Sequence, residues 1–431
     1  MDAPSSTATT RASHYRWSVA LLLGAAIAIS YLDRQTLPVA IQAIKSDIPI
    51  TDLQFSYLNS AFLIAYGLMY AIGGRILDGL GTRIGFAVFM VWWSLACASH
   101  GLAQGFAALA VSRLLLGIGE GGGFPAATKA VAEWFPASER STAMGIINAG
   151  TAIGAVLAPP AIAAIIQWGD WRWVFYVTGA IGLAWTVWWL RAYHAPSQHP
   201  RISAEERALL SQDTPGSTEA LPTPRWLDLI KSPQVKGLVV AKFLSDSAWY
   251  FFLFWMPKYL YDVRGFDIKQ VGAYAWIPYA AAGLGCLIGG WSSSRLIASG
   301  HSVNWSRKLI LGLSALLLPQ IFFVTQVPSE WVIVLFSIAF LGQQSWSTLV
   351  MVLPTDLFPR QVVGSVAGLV GLGGAMGGVV FGLVVGRILD ALGVSTGYTV
   401  VFALASCLHV LAFVIILVTI RDVRPLDQVT R

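Results

Sequence analysis

The 431-residue chain is short of charge: Asp, Glu, Lys and Arg supply only 12% of it, against 56% hydrophobic residues. A soluble domain carries about 25% charged residues. With so few, much of the surface must face hydrocarbon rather than water. Cysteine is scarce too: Cys97, Cys286 and Cys407 lie far apart inside apolar stretches, which excludes a disulfide framework and a thiolate metal site. The six histidines are scattered, no nucleophile stands in a pattern with a base, and no phosphate-cradling loop is present. An enzyme, a metal site, a bound cofactor and an ATP-driven pump are therefore not expected. The net charge of +6 belongs to no separate basic domain, so nucleic acid is not an expected partner.

What the chain has in quantity is long apolar runs, with a mean hydropathy of +0.65. About 20 mostly apolar residues cross a bilayer as a helix. Twelve stretches qualify: 17–41, 53–76, 83–103, 106–132, 141–166, 172–193, 235–260, 270–293, 308–326, 331–353, 362–388 and 397–420. The expected fold is an all-α membrane protein of twelve transmembrane helices in two pseudo-symmetric six-helix bundles. Its parts are a tail (1–16), a first bundle (17–193), a polar linker (194–230), a second bundle (231–422) and a tail (423–431). In the linker, Ser203 and Glu206 have the spacing of a helix-capping box. The polar segment Met1–Ser13 is read as a tail and not as a signal peptide, because the first apolar run is long and many follow. Nineteen of the 28 Lys and Arg fall on the side that holds both termini and six on the other, with Arg34, Arg113 and Lys242 in or near the membrane. Basic residues stay inside, which predicts a cell inner membrane with both termini in the cytoplasm.

The halves repeat. Glu133, Phe135, Pro136, Gly145, Gly150 and Gly154 are matched by Asp356, Phe358, Pro359, Gly368, Gly373 and Gly377, always 223 residues later. Small residues so spaced let helix backbones approach closely, and a duplicated bundle places its pathway between the halves.

Four charges fall inside the apolar runs. Asp33 and Arg34 are adjacent in the first span, and Arg113 and Glu120 lie two turns apart on one face of the fourth. A charge at mid-bilayer costs about 2.5–3.5 kcal/mol on insertion scales, so it is kept where it pairs or faces a wet cavity. A guanidinium suits a carboxylate cargo, through two parallel hydrogen bonds and a charge that is never lost. A carboxyl whose proton affinity changes with its arginine partner suits a proton carrier. Asp33 and Glu120 are read as proton-coupling groups, and Arg34 or Arg113 as the substrate's partner. Structural ion pairing of spans one and four is the plainer alternative. Tyr31 and Tyr66, with Gln344, Trp346 and Ser347 in span ten, are candidates for the walls of the binding site; Asn148 and Thr151 rank lower. Lys242 and Asp246, four apart near one end of span seven, read as a local ion pair. The glycines around Glu120 offer a bend in span four, close packing against span one, or both.

Two sets of motifs carry a family resemblance. Gly74-Arg75-Ile76-Leu77-Asp78-Gly79-Leu80-Gly81-Thr82-Arg83 resembles the loop signature of the major facilitator superfamily, with a weaker copy at Gly289–Arg295 that has Ser294 in place of an acid. Tyr31-Leu32-Asp33-Arg34, Arg113 to Glu120 and Phe124-Pro125-Ala126 resemble the anion:cation symporter branch. Ala132–Pro136, Trp249–Trp255 and Gln344–Ser347 are similar to its hexuronate transporters. The resemblance implies proton-coupled import of a sugar acid such as glucuronate or galacturonate by alternating access. It also implies that Gly74, Asp78, Gly81 and Arg83 control conformation. The proton would be the coupling ion, the bilayer the surroundings, and a monomer the working unit. A uniporter or antiporter of galactonate or a dicarboxylate is the rival reading.

Overall fold

A computed structural model describes residues 15–135, 140–200, 202–203, 205–206, 229, 231–358 and 360–423. Most of the expected tails and of the 194–230 linker lie outside these residues, as do Pro136 and Pro359 and the side chain of Asp78. Within the described linker, Glu206 N donates to Ser203 Oγ at 3.1 Å, as the capping spacing predicts. The Glu206 carboxylate also pairs with Arg16 at 3.0 Å, tying the linker to the start of the first helix.

The first half contains α1 (Tyr15–Asp47), α2 (Asp52–Leu80), α3 (Thr82–Ser99), α4 (Phe106–Glu120), α5 (Gly123–Trp134), α6 (Arg140–Trp168) and α7 (Arg172–Ala192). The second contains α8 (Pro233–Asp262), α9 (Ile268–Tyr274), α10 (Trp276–Ala298), α11 (Val303–Leu316), α12 (Ser329–Leu357), α13 (Arg360–Leu392) and α14 (Val394–Thr419). Ten helical segments of 21–33 residues are apolar and long enough to cross a membrane. Helix α2 and the α4–α5 pair complete the twelve spans. In hydrocarbon only a helix or a closed barrel satisfies every backbone group, so apolar runs of this length become helices. The fourth span differs from the expected single helix. It breaks at Gly121–Gly122, directly after Glu120, because Pro125 has no N–H to donate to the Gly121 carbonyl four residues earlier, and the two glycines there press against Tyr66, Met69 and Phe89. The bend occurs, and the close packing is against the second and third spans, at Phe62, Tyr66, Met69, Phe89 and Trp93, rather than against the first as expected. The eighth span is likewise divided, into α9 and α10.

Packing follows the repeat. Helix α1 lies along α6, and α8 lies along α13; α2 lies along α4, and α10 along α12. The matched glycines explain the first pairing. Gly150 and Gly154 meet the backbone at Gly24 and Ala28, and Gly373 and Gly377 meet it at Val239 and Phe243. Between the halves, α2 packs on α13, and α6 packs on α9 and α10.

The cross-bundle contacts concentrate between mid-span and the end remote from the termini. Gly386 meets Ser56, Gly272 meets Ala163, and Gly283 meets Ala152. Tyr261 donates to Val39 O at 2.7 Å, and Gln35 to the Tyr279 hydroxyl at 2.9 Å. Towards the termini, Gly145, Gly368 and Gly371 face open space instead. Among the described residues, the bundles are closed at the remote end and open towards the termini.

At the terminus-side loop, Gly81 ends α2 and starts α3 with φ of 74°, a conformation that favours glycine. Arg83 donates to Leu190 O, and Trp189 Nε1 donates to Arg83 O at 2.9 Å. Glu133 accepts from Thr82 Oγ1 at 2.6 Å and from the Tyr193 hydroxyl at 2.5 Å, so it ties α5 to α3 and to the chain after α7. Its counterpart Asp356 accepts from Arg307 Nε at 2.9 Å, and Arg307 also reaches Ser293. The repeated acid thus fastens the corresponding helices in each half.

Candidate functional site

The four intramembrane charges lie inside the protein. Asp33 and Arg113 are fully buried, and Glu120 and Arg34 are 1% and 3% exposed. Helix α1 brings Arg34 to the broken fourth span, where its Nε donates to Glu120 Oε2 at 2.6 Å. Ser30, one turn before Arg34, donates to the same oxygen at 2.7 Å. The other oxygen, Glu120 Oε1, is buried without a hydrogen-bond partner. Placement of Glu120 at the last turn of α4, just before the Gly121–Gly122 break, is what lets this carboxylate reach α1.

Aromatic faces surround the guanidinium. The Arg34 Cζ lies 4.6 Å from the Tyr31 ring centroid and 4.5 Å from that of Tyr66, with Phe62 at 5.5 Å. A cation over such a face gains about 0.5–1 kcal/mol at an exposed site and about 2 kcal/mol or more when desolvated. Tyr66 stacks on Phe62, which holds its ring in place. Across the bundle interface, Phe254 of α8 meets the Phe62 ring edge-on at 6.5 Å and stacks on Tyr250. Arg34 is therefore the cation at the meeting of the halves.

Asp33 and Arg113 stand behind it, inside the first bundle. Asp33 Oδ1 accepts from Cys97 Sγ at 3.5 Å, and Cys97 in turn contacts Thr178 of α7. Asp33 Oδ2 has no partner, and neither does any of the three guanidinium nitrogens of Arg113, whose Cζ lies 5.6 Å from the Phe62 ring. With both carboxyls ionised, Asp33, Arg34, Arg113 and Glu120 sum to zero charge. Each carboxylate keeps one oxygen free of hydrogen bonds, where a proton can reside.

The span-ten candidates go elsewhere. Trp346 is fully buried within the second bundle, against His409 and Phe413 of α14, and Gln344 turns to Cys286 of α10. Neither joins the Arg34 cluster. Their neighbour Ser347 faces α8, where it accepts from Lys242 Nζ at 2.8 Å. Asn148 and Thr151 are on the opposite bundle's α6, with Thr151 Oγ1 bonded to Asn148 O. A separate cleft of 670 Å³ between α9–α10 and α12, lined by Phe266, Tyr274, Ile333 and Leu341, is apolar and touches none of these charges.

Residues 23–382 match the Major Facilitator Superfamily. The chain belongs to that superfamily. Membership makes it a multi-pass membrane transporter and not an enzyme. It is 32% identical over 406 residues to the hexuronate transporter of Escherichia coli K12, covering 93% of each chain. It is 35% identical over 308 residues to the galacturonate transporter of Dickeya chrysanthemi, covering 70% of this chain and 89% of that one. Among solved structures, a bacterial homologue of the human lysosomal transporter Spinster, in an inward-facing and unoccupied conformation, superimposes with a TM-score of 0.78. That match has 18% identity and covers 95% of this chain and 98% of the other, so it bears on the fold alone. The inward-open xylose transporter of Escherichia coli gives 0.71 at 15% identity, over 94% and 96% of the two chains.

Two features lay beyond the sequence reading. One is Ser30 as a second donor to Glu120, which its spacing of four from Arg34 signals on a helix. The other is an ionic cluster at the remote end, joining Lys45, Asp52, Lys258 and Asp262. Lys258 and Asp262 have the four-residue spacing of a helical pair, but the link from Lys258 to Asp52 joins opposite halves, and no local spacing announces it.

Proposed function

We propose that the protein imports a sugar-acid monoanion, a hexuronate such as galacturonate or glucuronate, by proton symport. The observation that carries this is the Arg34–Glu120 pair under two tyrosine rings at the bundle interface, with a second carboxyl, Asp33, directly behind. A neutral four-charge cluster has no net attraction for an anion. One proton on Glu120 or Asp33 leaves the cluster at +1; on Glu120 it releases Arg34 to take a substrate carboxylate, and on Asp33 it lets Glu120 turn from Arg34 to Arg113 with the same result. The proton and the anion then enter together, with no net charge left buried. Similarity to the hexuronate and galacturonate transporters supports the substrate class.

The closed remote end and parted terminus side correspond to an inward-facing state of a protein with cytoplasmic termini in a cell inner membrane. This orientation follows from the distribution of basic residues. The deciding experiment is uptake of labelled galacturonate into proteoliposomes driven by an imposed pH gradient. Wild type accumulates substrate, while Asp33→Asn and Glu120→Gln exchange it across the membrane without accumulating it. Full gradient-driven accumulation by both variants would refute the proton-coupling roles. A gradient-independent rate in the wild type would favour uniport.

A further inference from the structure

Helix α8 carries a polar stripe at Lys242, Asp246 and Tyr250, each one turn after the last. Lys242 Nζ lies 3.0 Å from Asp246 Oδ1, and it also donates to Ser347 Oγ at 2.8 Å. Both charged residues are 7% exposed. The repeat fixes where this stripe points. Val239 and Phe243 stand 215 residues after Gly24 and Ala28 and make the same glycine contacts in the second bundle. The same offset makes Asp246 the counterpart of Tyr31, which lies against Arg34 at the interface. Tyr250 closes the stripe: it packs on Gly378, beside Leu63 of the first bundle.

The second bundle makes room for this carboxylate. A Cβ on Gly374 would overlap Asp246 Oδ2, so the glycine is a notch into which the side chain fits. Its counterpart in the first bundle, Thr151, carries a side chain. The second bundle thus has room for the Asp246 carboxylate at a position where the first bundle carries a side chain.

We infer that Lys242, Asp246 and Ser347 form the hydroxyl-binding end of the substrate site, selecting a polyhydroxy monocarboxylate and rejecting a dicarboxylate. This rests on the reading of Arg34 as the carboxylate end. An ionised carboxylate only accepts hydrogen bonds, a lysine ammonium only donates, and a serine hydroxyl does both. Together they match vicinal hydroxyls, which can donate to Asp246 and accept from Lys242. A second carboxylate on the substrate has no proton to donate to Asp246 and meets it as a like charge. Lys242, already paired, supplies no spare cation for it.

The test measures binding to the purified full chain by thermal stabilisation, with galacturonate and with its dicarboxylate counterpart galactarate. Wild type is expected to prefer galacturonate. Asp246→Asn should weaken galacturonate by about tenfold or more while narrowing or reversing the preference over galactarate. Gly374→Ala keeps every charge and displaces chiefly the Asp246 carboxylate, with a lesser push on Lys242 Cγ at 3.2 Å, so it carries the test if the Asn variant does not fold; the same loss of preference is expected. Unchanged galacturonate affinity and preference in a folded variant of either kind overturns the inference. Equal wild-type binding of galactarate also overturns it, with the import of a sugar acid untouched. No wild-type binding of any hexuronate would instead remove the functional reading on which it rests.

Discussion

Lys258 Nζ of the second bundle lies 2.6 Å from Asp52 Oδ1 of the first, with the lysine side chain only 1% exposed. Asp262 pairs with the same lysine, and Lys45 reaches Asp52 at 3.5 Å. Beside them, Asp390 at the end of α13 accepts from the backbone N–H groups of Asp52 and Leu53 at 3.1 and 3.2 Å. An acid at the first turn of α2 offsets that helix's positive end. The α2–α13 seam is thus held shut at the remote end by charges from both halves. Lys258→Met leaves Asp52 and Asp262 facing each other without the shared cation. Breaking a buried pair costs about 3–5 kcal/mol. Much of that cost is relieved if the seam opens, so the population moves towards the state open on the remote side. Spin labels on Ser46 and Asp267, exposed near that end, should report longer distances in the variant. An unchanged distance distribution would mean that apolar contacts such as Phe55 on Trp255 hold the seam without help.

Proton coupling predicts a definite sign for pH dependence. If one proton is taken up with each anion, substrate affinity rises as pH falls, with log Kd changing by about one unit per pH unit in the window where the carboxyl titrates. The dependence flattens below that window, where the proton is already bound before the substrate arrives. Asp33→Asn and Glu120→Gln should each reduce the slope, and the one that removes it identifies the carrier. Glu120→Gln also releases Arg34 from its ion pair, so its affinity at high pH should exceed that of wild type. Titration of binding across pH, variant by variant, reads both effects. A flat wild-type profile would leave the Arg34–Glu120 pair with a structural role only.

The tyrosine faces around Arg34 can be separated from their hydroxyls. Tyr66→Phe keeps the ring 4.5 Å from the guanidinium and its stacking on Phe62, while Tyr66→Ala removes both. Loss of a desolvated cation–π contact of about 2 kcal/mol corresponds to roughly 30-fold in affinity. Tyr66→Ala should show that loss in substrate binding. Tyr66→Phe should stay close to wild type if the face matters, and fall with the alanine variant if the hydroxyl bonds the sugar.

The sequence made the spans, the repeat and the four buried charges legible, because hydrophobic length, a constant 223-residue offset and the cost of charge in lipid are all one-dimensional signals. It could not rank Arg34 against Arg113. Both are arginines in apolar runs, and only the crossing of α1 with the broken fourth span brings Glu120 to one of them. Trp346 shows the same limit from the other side. Its neighbours on α12 face three different helices: Gln344 turns to α10, Ser347 to α8 and Trp346 itself to α14. A buried tryptophan looks alike in sequence whether its ring lines a pathway or fills a bundle. Lys242 and Asp246 were legible as an ion pair from their spacing, but their direction depended on the notch at Gly374, which is distant in the chain.

The repeated glycines themselves provide the sharpest test of the duplicated design. Gly154 and Gly377 occupy matched positions, and a methyl group on either would overlap a backbone carbonyl, of Ala28 or of Phe243. Neither neighbour can give way without moving a whole helix, since the obstacle is backbone rather than a flexible side chain. Gly145 and Gly368, also matched, have nothing within 4 Å of such a methyl. Overpacking a tight contact costs about 1–3 kcal/mol. Gly154→Ala and Gly377→Ala should therefore each lower the melting temperature of the purified protein, and by similar amounts. Gly145→Ala and Gly368→Ala should leave it unchanged or raise it slightly, because alanine is the better helix former by about 0.8–1.0 kcal/mol. The glycines at the open positions face the parted side of the molecule. If those two variants stay stable but transport more slowly, the space at Gly145 and Gly368 is used when the bundles close on the terminus side.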